Sequence, residues 1–336
     1  MKQHWLAYAV ALLLLLFVFQ PNSSAVAGDD ESGVSILHVG QLSTVGSEDN
    51  LREEELRREY EVARRAYEEE KKRLKREAEE GKFKQLNAAC REKNLQRVTE
   101  LLKQGTTPDW SVLLLSVARG HDDVLRLLLQ YGGDIHQRSE GGHTLLYHAS
   151  LMGHEVVARV LLENGLQPNV ADNEGNTPLL ATIYGNREAV ARLLLENGAE
   201  IDAVDEKGRT PLHKAAMSGK PAMVRLLLDR GAKTNTQDVV GLTPLHWAVL
   251  EGHEAVAQLL LEKGADVAAR AETGHTPLHF AVESGSHAII RLLLAHDAYV
   301  GVKSNSGLTP LDLARKKGLA SLVRLLQEAE AAQSAH

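Results

Sequence analysis

The side chains best placed for chemistry are histidines. His213, His246 and His279 stand 33 residues apart in nearly identical surroundings, and His275 precedes the last of them by four. Two imidazoles four apart can hold zinc on one face of a regular helix. Pro277 between them argues otherwise, because proline is tolerated only in a first helical turn. His275 then falls before the helix start and His279 inside it, so the rings need not share a face. The single cysteine, Cys90, adjoins Ala89 in an apolar helical stretch, where a small inert side chain suits the packing better than a reactive thiol does. The sequence has no Gly-rich phosphate loop, no Cys or His ligand cluster, no Gly-x-Ser-x-Gly elbow and no His-Glu-x-x-His. It therefore calls for no catalytic residue, no cofactor and no metal, and argues against an enzyme.

The histidines belong to a longer pattern. Thr144, Thr177, Thr210, Thr243, Thr276 and Thr309 are 33 residues apart at every step, and Ser111 extends the series one step earlier. The text is nearly constant: Thr210-Pro211-Leu212-His213, Thr243-Pro244-Leu245-His246 and Thr276-Pro277-Leu278-His279. A glycine follows each (Gly219, Gly252, Gly285), then a leucine triplet (226 to 228, 259 to 261, 292 to 294), then typically Gly-Ala, as at Gly231-Ala232 and Gly264-Ala265. A threonine hydroxyl caps a helix start, and proline just inside loses no hydrogen bond there. The first glycine permits a tight turn, the leucines give the second helix its apolar face, and the second glycine ends it in a left-handed cap.

This period and this Thr-Pro-Leu-His text resemble the ankyrin repeat. The resemblance covers residues 83–327 as about eight helical pairs, the first and last as caps. It implies an all-α solenoid of helix-turn-helix units with short β-like fingers. It also implies that His213, His246 and His279 link neighbouring fingers to the backbone, and that a protein partner binds a concave groove of fingers and first helices. Carried onto this sequence, the candidate partner-binding residues are Glu206, Lys207, Arg209, Val239, Val240 and Leu242 on fingers, with Tyr184, Met217 and Leu250 on helices. Other fingertip positions are Glu174, Asn176, Glu272, Thr273, Asn305 and Leu308; other helix positions are Leu151, Met152 and Glu283. Trp247 and Phe280 fall at a position usually packed inward. Leu145 replaces a proline, Asp297 a terminal glycine and Asp312 a histidine.

The repeats do not begin at once. An apolar run from Trp5 to Phe19, a short weakly basic start at Lys2 and the small-x-small triplet Ala25-Val26-Ala27 have the layout of a signal peptide, residues 1–27, cleaved after Ala27. The run is shorter than a membrane span needs, so no membrane insertion is expected after cleavage, although an uncleaved anchor is the other reading. Cleavage would leave a formal charge of −8, one below the −7 of the whole chain because Lys2 goes. An acidic chain argues against nucleic acid or anionic lipid as the main partner.

Residues 28–48 show no period and read as a flexible linker. Residues 49–82 read as a long charged helix with acid-first pairs four apart, Glu54/Arg58, Glu61/Arg65, Glu68/Lys72 and Glu69/Arg73. Leu56, Tyr60, Ala63, Tyr67 and Leu74 make a narrow stripe; residues 51–80 could form a homodimeric coiled coil through it, or stay a solvated arm. Residues 328–336 read as a polar tail. The whole reads as an exported, bacterial, non-enzymatic scaffold, periplasmic or secreted, that holds a protein partner. A secreted host-directed effector and a membrane-tethered scaffold are the rival readings.

Overall fold

The structure is a computed structural model and describes residues 47–334, with side chains described from Arg58 on apart from Glu59. The signal peptide, the cleavage site and nearly all of the expected linker lie outside the described residues. The chain divides into two units at the Lys82/Phe83 junction.

The first unit contains most of α1 (Ser47–Arg91). Its helix starts at Ser47, two residues earlier than the sequence suggested, and does not stop at residue 82. Gly81 costs about 1 kcal/mol relative to alanine inside a helix, which the helix-forming residues around it absorb without a break. Arg65 pairs with Glu61 as expected, at 3.9 Å, but Arg73 turns to Glu70 at 2.6 Å and Glu77 at 3.6 Å instead of Glu69. Tyr60, Tyr67 and Leu74 of the expected stripe are exposed.

The second unit is a solenoid of eight helical pairs, as the 33-residue period required. The end of α1 pairs with α2 (Leu95–Lys103), then α3 (Trp110–Arg119) with α4 (Asp122–Gln130) and α5 (Leu145–Met152) with α6 (Glu155–Glu163). The series continues with α7 (Pro178–Gly185) and α8 (Glu188–Glu196), α9 (Pro211–Met217) and α10 (Pro221–Asp229), and α11 (Pro244–Leu250) and α12 (Glu254–Glu262). It ends with α13 (Pro277–Ser284) and α14 (His287–Ala295), then α15 (Pro310–Lys316) and α16 (Ala320–Ser334). No strand forms among the described residues. First helices stack on first helices and second on second, so one continuous apolar core runs from Leu86 to Leu326.

Helix starts and ends follow the repeat text. Each threonine from Thr144 to Thr309 is the extended N-cap of a first helix, and five of the six are followed by proline at the first helical position. At Asn186 and Asp297, which stand where other repeats have glycine, the backbone keeps the left-handed conformation, φ 54° and 65°. Asn and Asp tolerate it better than other side chains because they can bond locally. The glycine lost at 297 thus leaves the turn intact. At the end of the chain the expected polar tail is helical to Ser334. The Gln333 side-chain amide donates to the Ala298 carbonyl at 2.8 Å, and its oxygen accepts the Val300 N–H at 3.1 Å, which ties the last helix to the preceding loop.

Two of the three repeated histidines link neighbours. The amide and hydroxyl of Thr210 both meet His213 Nδ1, at 3.1 and 2.8 Å. An amide can only donate, so Nδ1 carries no proton; the proton sits on Nε2, which donates to the Leu242 carbonyl in the next finger at 3.0 Å. His279 repeats the arrangement with Thr276 and the Leu308 carbonyl. His246 keeps the threonine half, but its Nε2 is buried without a hydrogen bond. In the last repeat the Asp312 carboxylate replaces the ring and accepts from the Thr309 amide and hydroxyl at 3.1 and 2.8 Å, with no reach to a further finger.

Protonating these rings would turn an N–H against an N–H in a buried place. Burial lowers the pKa of all three, that of His246 to about 4. A depressed histidine contributes its full stability above the unfolded value near 6.5 and loses it as pH falls from there toward the folded value. Asp205 stays ionised throughout that window, since its pKa is about 2. The melting temperature should therefore fall steadily between pH 7 and pH 4.5, with His246 alone accounting for about 3 kcal/mol near the lower end. His246→Gln removes the titrating ring together with its bonds to Thr243; it should lower the melting temperature at pH 7 and flatten the decline below it, in thermal melts followed by circular dichroism.

Candidate functional site

The fingers between pairs are tight loops closed on themselves and joined to one another. Asp172, Asp205, Asp238, Ala271 and Ser304 each donate their backbone N–H to the carbonyl four residues on. Single backbone bonds then run from tip to tip: Asn173 N–H to Gly141 O, Glu206 to Glu174, Val239 to Lys207, Glu272 to Val240 and Asn305 to Thr273. These bonds fix the tips in one row. Residues 32 apart are bonded to each other, and Val239-Val240 sits between Lys207 on one side and Glu272 on the other.

Three central fingers carry an aspartate five residues before the threonine, a recurrence readable in the sequence and missed there. In each, one carboxylate oxygen accepts two amides of its own loop: Glu174 and Asn176 at Asp172, Lys207 and Arg209 at Asp205, Val240 and Leu242 at Asp238. The other oxygen takes a different partner in each. Asp172 Oδ2 lies 3.3 Å from His143 Nε2. Asp205 Oδ2 meets Lys214 Nζ at 2.7 Å and the Arg209 guanidinium at 2.9 Å. Asp238 Oδ2 accepts from Trp247 Nε1 at 2.9 Å. Trp247 is therefore half-buried, not core as the sequence suggested, because its indole reaches toward the Asp238 carboxylate; Phe280, also half-buried, packs against the core as expected.

Lys214 is 3% exposed and also donates to the Tyr184 hydroxyl at 2.7 Å, with its ammonium 5.2 Å from the ring centroid. Tyr184 OH in turn donates to Asn176 Oδ1 at 3.4 Å. Tyr184, expected as a contact residue, is thus held from below by a charge network while its ring is 47% exposed.

Several candidates change role. Leu242 is buried, and its carbonyl is the acceptor of His213. Asn176 is buried against Asp172. Arg209 is spent on Asp205. A loop this tight turns alternate side chains inward, which register alone does not reveal. Glu206, Lys207, Val239 and Val240 point outward, the valines 59% and 47% exposed. Leu250 is exposed and Met217 half-buried; with Tyr184 they occupy one register of the successive first helices α7, α9 and α11, which pack side by side.

One local arrangement has the outline of a nucleophile relay: Ser139 Oγ lies 3.1 Å from His143 Nδ1, and His143 Nε2 faces Asp172. The hydroxyl also accepts the His143 amide, and Asp172 holds two amides, so these groups close fingers. His275 Nδ1 likewise meets Thr273 Oγ1 at 2.8 Å and its ring crosses that of His279 edge to face. No group of three or more His, Cys, Asp or Glu that could hold a metal occurs among the described residues. Cys90 is buried, and burial pushes its thiol up to about 11, which keeps it protonated at neutral pH.

A family model described as ankyrin repeats matches residues 86–172, 141–205, 159–238, 179–271 and 268–335. The crystal structure of the human ASB11 ankyrin repeat domain is similar at 29% identity and a TM-score of 0.58, over 65% of this chain and 97% of that one. No match was found among curated proteins.

Removing one partner of a buried ion pair strands the other charge, at about 3 to 5 kcal/mol. Asp205→Asn keeps the loop acceptor but strands Lys214 and Arg209, and should lower stability by that amount in urea unfolding. Lys214→Met leaves Asp205 with Arg209 and two amides, and should cost less than half as much.

Proposed function

The chain belongs to the ankyrin-repeat family, whose members are generally non-enzymatic interaction scaffolds, and we propose that it holds a protein partner on the face built by its fingers and first helices, in a compartment outside the cytoplasm. The observation that carries the binding reading is an apolar set on that face: Val239 and Val240 at a fingertip, with Tyr184, Met217 and Leu250 along the helix row. Loop tips are ordinarily polar, and two exposed valines there shed water only when something covers them. Tyr184 is fixed in place by Lys214 and Asn176, so a partner meets a surface already ordered and little entropy is lost on contact.

Export rests on the N-terminal sequence alone: a short charged start, an apolar run to Phe19 and Ala25-Val26-Ala27. N-terminal sequencing of the protein from its native host should find Gly28 first; a chain beginning at Met1 and retained in the membrane would favour the tethered reading.

Affinity capture of the tagged full-length protein, in parallel with a Tyr184→Ala, Met217→Ala, Leu250→Ala variant, tests the face. One protein should be recovered by the parent and lost by the folded variant. Recovery unchanged by the three substitutions would sink the assignment of the face and turn attention to the charged helix.

A further inference from the structure

We infer that the occupant of this face is a protein segment of net positive charge with apolar side chains set between its cations; the inference rests on the binding reading above and names the chemistry of the partner. The apolar set is bordered by carboxylates on both sides. On the fingertip side Glu174, Glu206 and Glu272 are exposed, and the tip-to-tip bonds place Glu174 beside Glu206 and Glu272 beside Val240. On the helix side Glu251 and Glu283 are exposed, at and near the ends of α11 and α13.

The exposed cations in the same stretch are fewer and mostly engaged with backbone: Lys317 Nζ donates to the Glu283 carbonyl at 3.1 Å and Arg187 Nε to the Leu151 carbonyl at 3.2 Å. Lys207 stands beside Val239, and the Arg270 guanidinium is engaged with the Lys303 carbonyl at 2.8 Å. The charges beneath the face cancel as a set: Asp205 faces two cations, Lys214 and Arg209, and the Asp238 carboxylate is hydrogen-bonded by the neutral Trp247 indole. His275 Nε2 lies 3.9 Å from the Glu283 carboxylate, and with Lys317 it makes this corner the least acidic part of the border. The face therefore presents an excess of carboxylates around an apolar centre at neutral pH.

The physical consequences divide between the two parts. Carboxylates at a rim steer a cationic segment in and repel an acidic one, and they act more on specificity and association rate than on total affinity. The apolar centre supplies the desolvation on which affinity depends. Lysine and arginine fit both demands, since their aliphatic stems can lie over Val239 and Val240 while the heads reach Glu206 and Glu272. An acidic segment would bring like charges together at both borders.

Three short labelled peptides, titrated into the full chain and read by fluorescence anisotropy, test this. One alternates lysine and arginine around two leucines, the second has every cation replaced by glutamate, and the third has the leucines replaced by serine. The first should bind, and each of the others should be weaker by roughly tenfold or more. Raising the salt from low to high ionic strength should weaken the first by a similar factor, because exposed charges are screened. Glu206→Lys with Glu272→Lys should reverse the preference toward the acidic peptide while the melting temperature stays that of the parent, both side chains being exposed. The inference is overturned if the acidic peptide binds as well as the basic one, if the double charge reversal changes nothing, or if none of the three binds. Using the same double variant in the capture experiment separates the two levels. A partner lost by the Tyr184, Met217, Leu250 variant but kept by the charge reversal leaves the face as the binding site and removes its charge preference. A partner kept by both removes the face itself, and this inference with it.

Discussion

A pair of helices seven to ten residues long cannot bury its own apolar face, and everything else in the second unit follows from that constraint. Leu227, Leu260 and Leu293 are buried only because the neighbouring pairs supply the other wall. Stacking in turn demands that every pair repeat the same geometry, which is why thirty-three residues recur with so little change. The ends show the same rule from the other side. The first pair borrows the end of a long charged helix, and the last helix runs on to Gln333, whose side chain occupies the Ala298 and Val300 backbone groups.

Stacking fixes helices but not the loops between them, and the loops are where this molecule places its polar order. A threonine amide, a neutral imidazole and a carbonyl 29 residues further on form one chain of bonds from a helix start to the next finger. The central aspartates add a second. One oxygen shapes the loop, and the other reaches a histidine, a lysine or a tryptophan according to the repeat. The surface above is consequently rigid without being uniform. It is charged and clamped at Tyr184 and Lys214, and apolar at Val239 and Val240.

A rigid, non-uniform face is suited to recognition. Among the described residues, Ser139 Oγ and the Asp172 carboxylate on either side of the His143 ring each accept backbone amides of their own fingers, so these groups serve to close the loops. Burial is what keeps the repeated histidines neutral. The rings of His213 and His279 are each a fixed donor and acceptor between two elements, and a second proton would leave the acceptor role unfilled.

The repeat period, the threonine caps, the glycine turns and the leucine faces were legible in the sequence, because each is a local demand that recurs in the text every 33 residues. From them the number of helical pairs and the family could be read. What only the tertiary structure decided was the direction of individual side chains. Leu242 and Val240 are two residues apart in one loop, yet the first is buried with its carbonyl bonded to His213 of the preceding repeat and the second faces outward. Lys214, which carries no signal of its own in the sequence, is buried between Asp205 and Tyr184. Such outcomes depend on the neighbouring repeat, 30 or more residues away, and on which oxygen of a shared aspartate is left over once its own loop is closed. A period in the sequence fixes where a residue stands in its repeat; only the packed neighbour fixes what it touches.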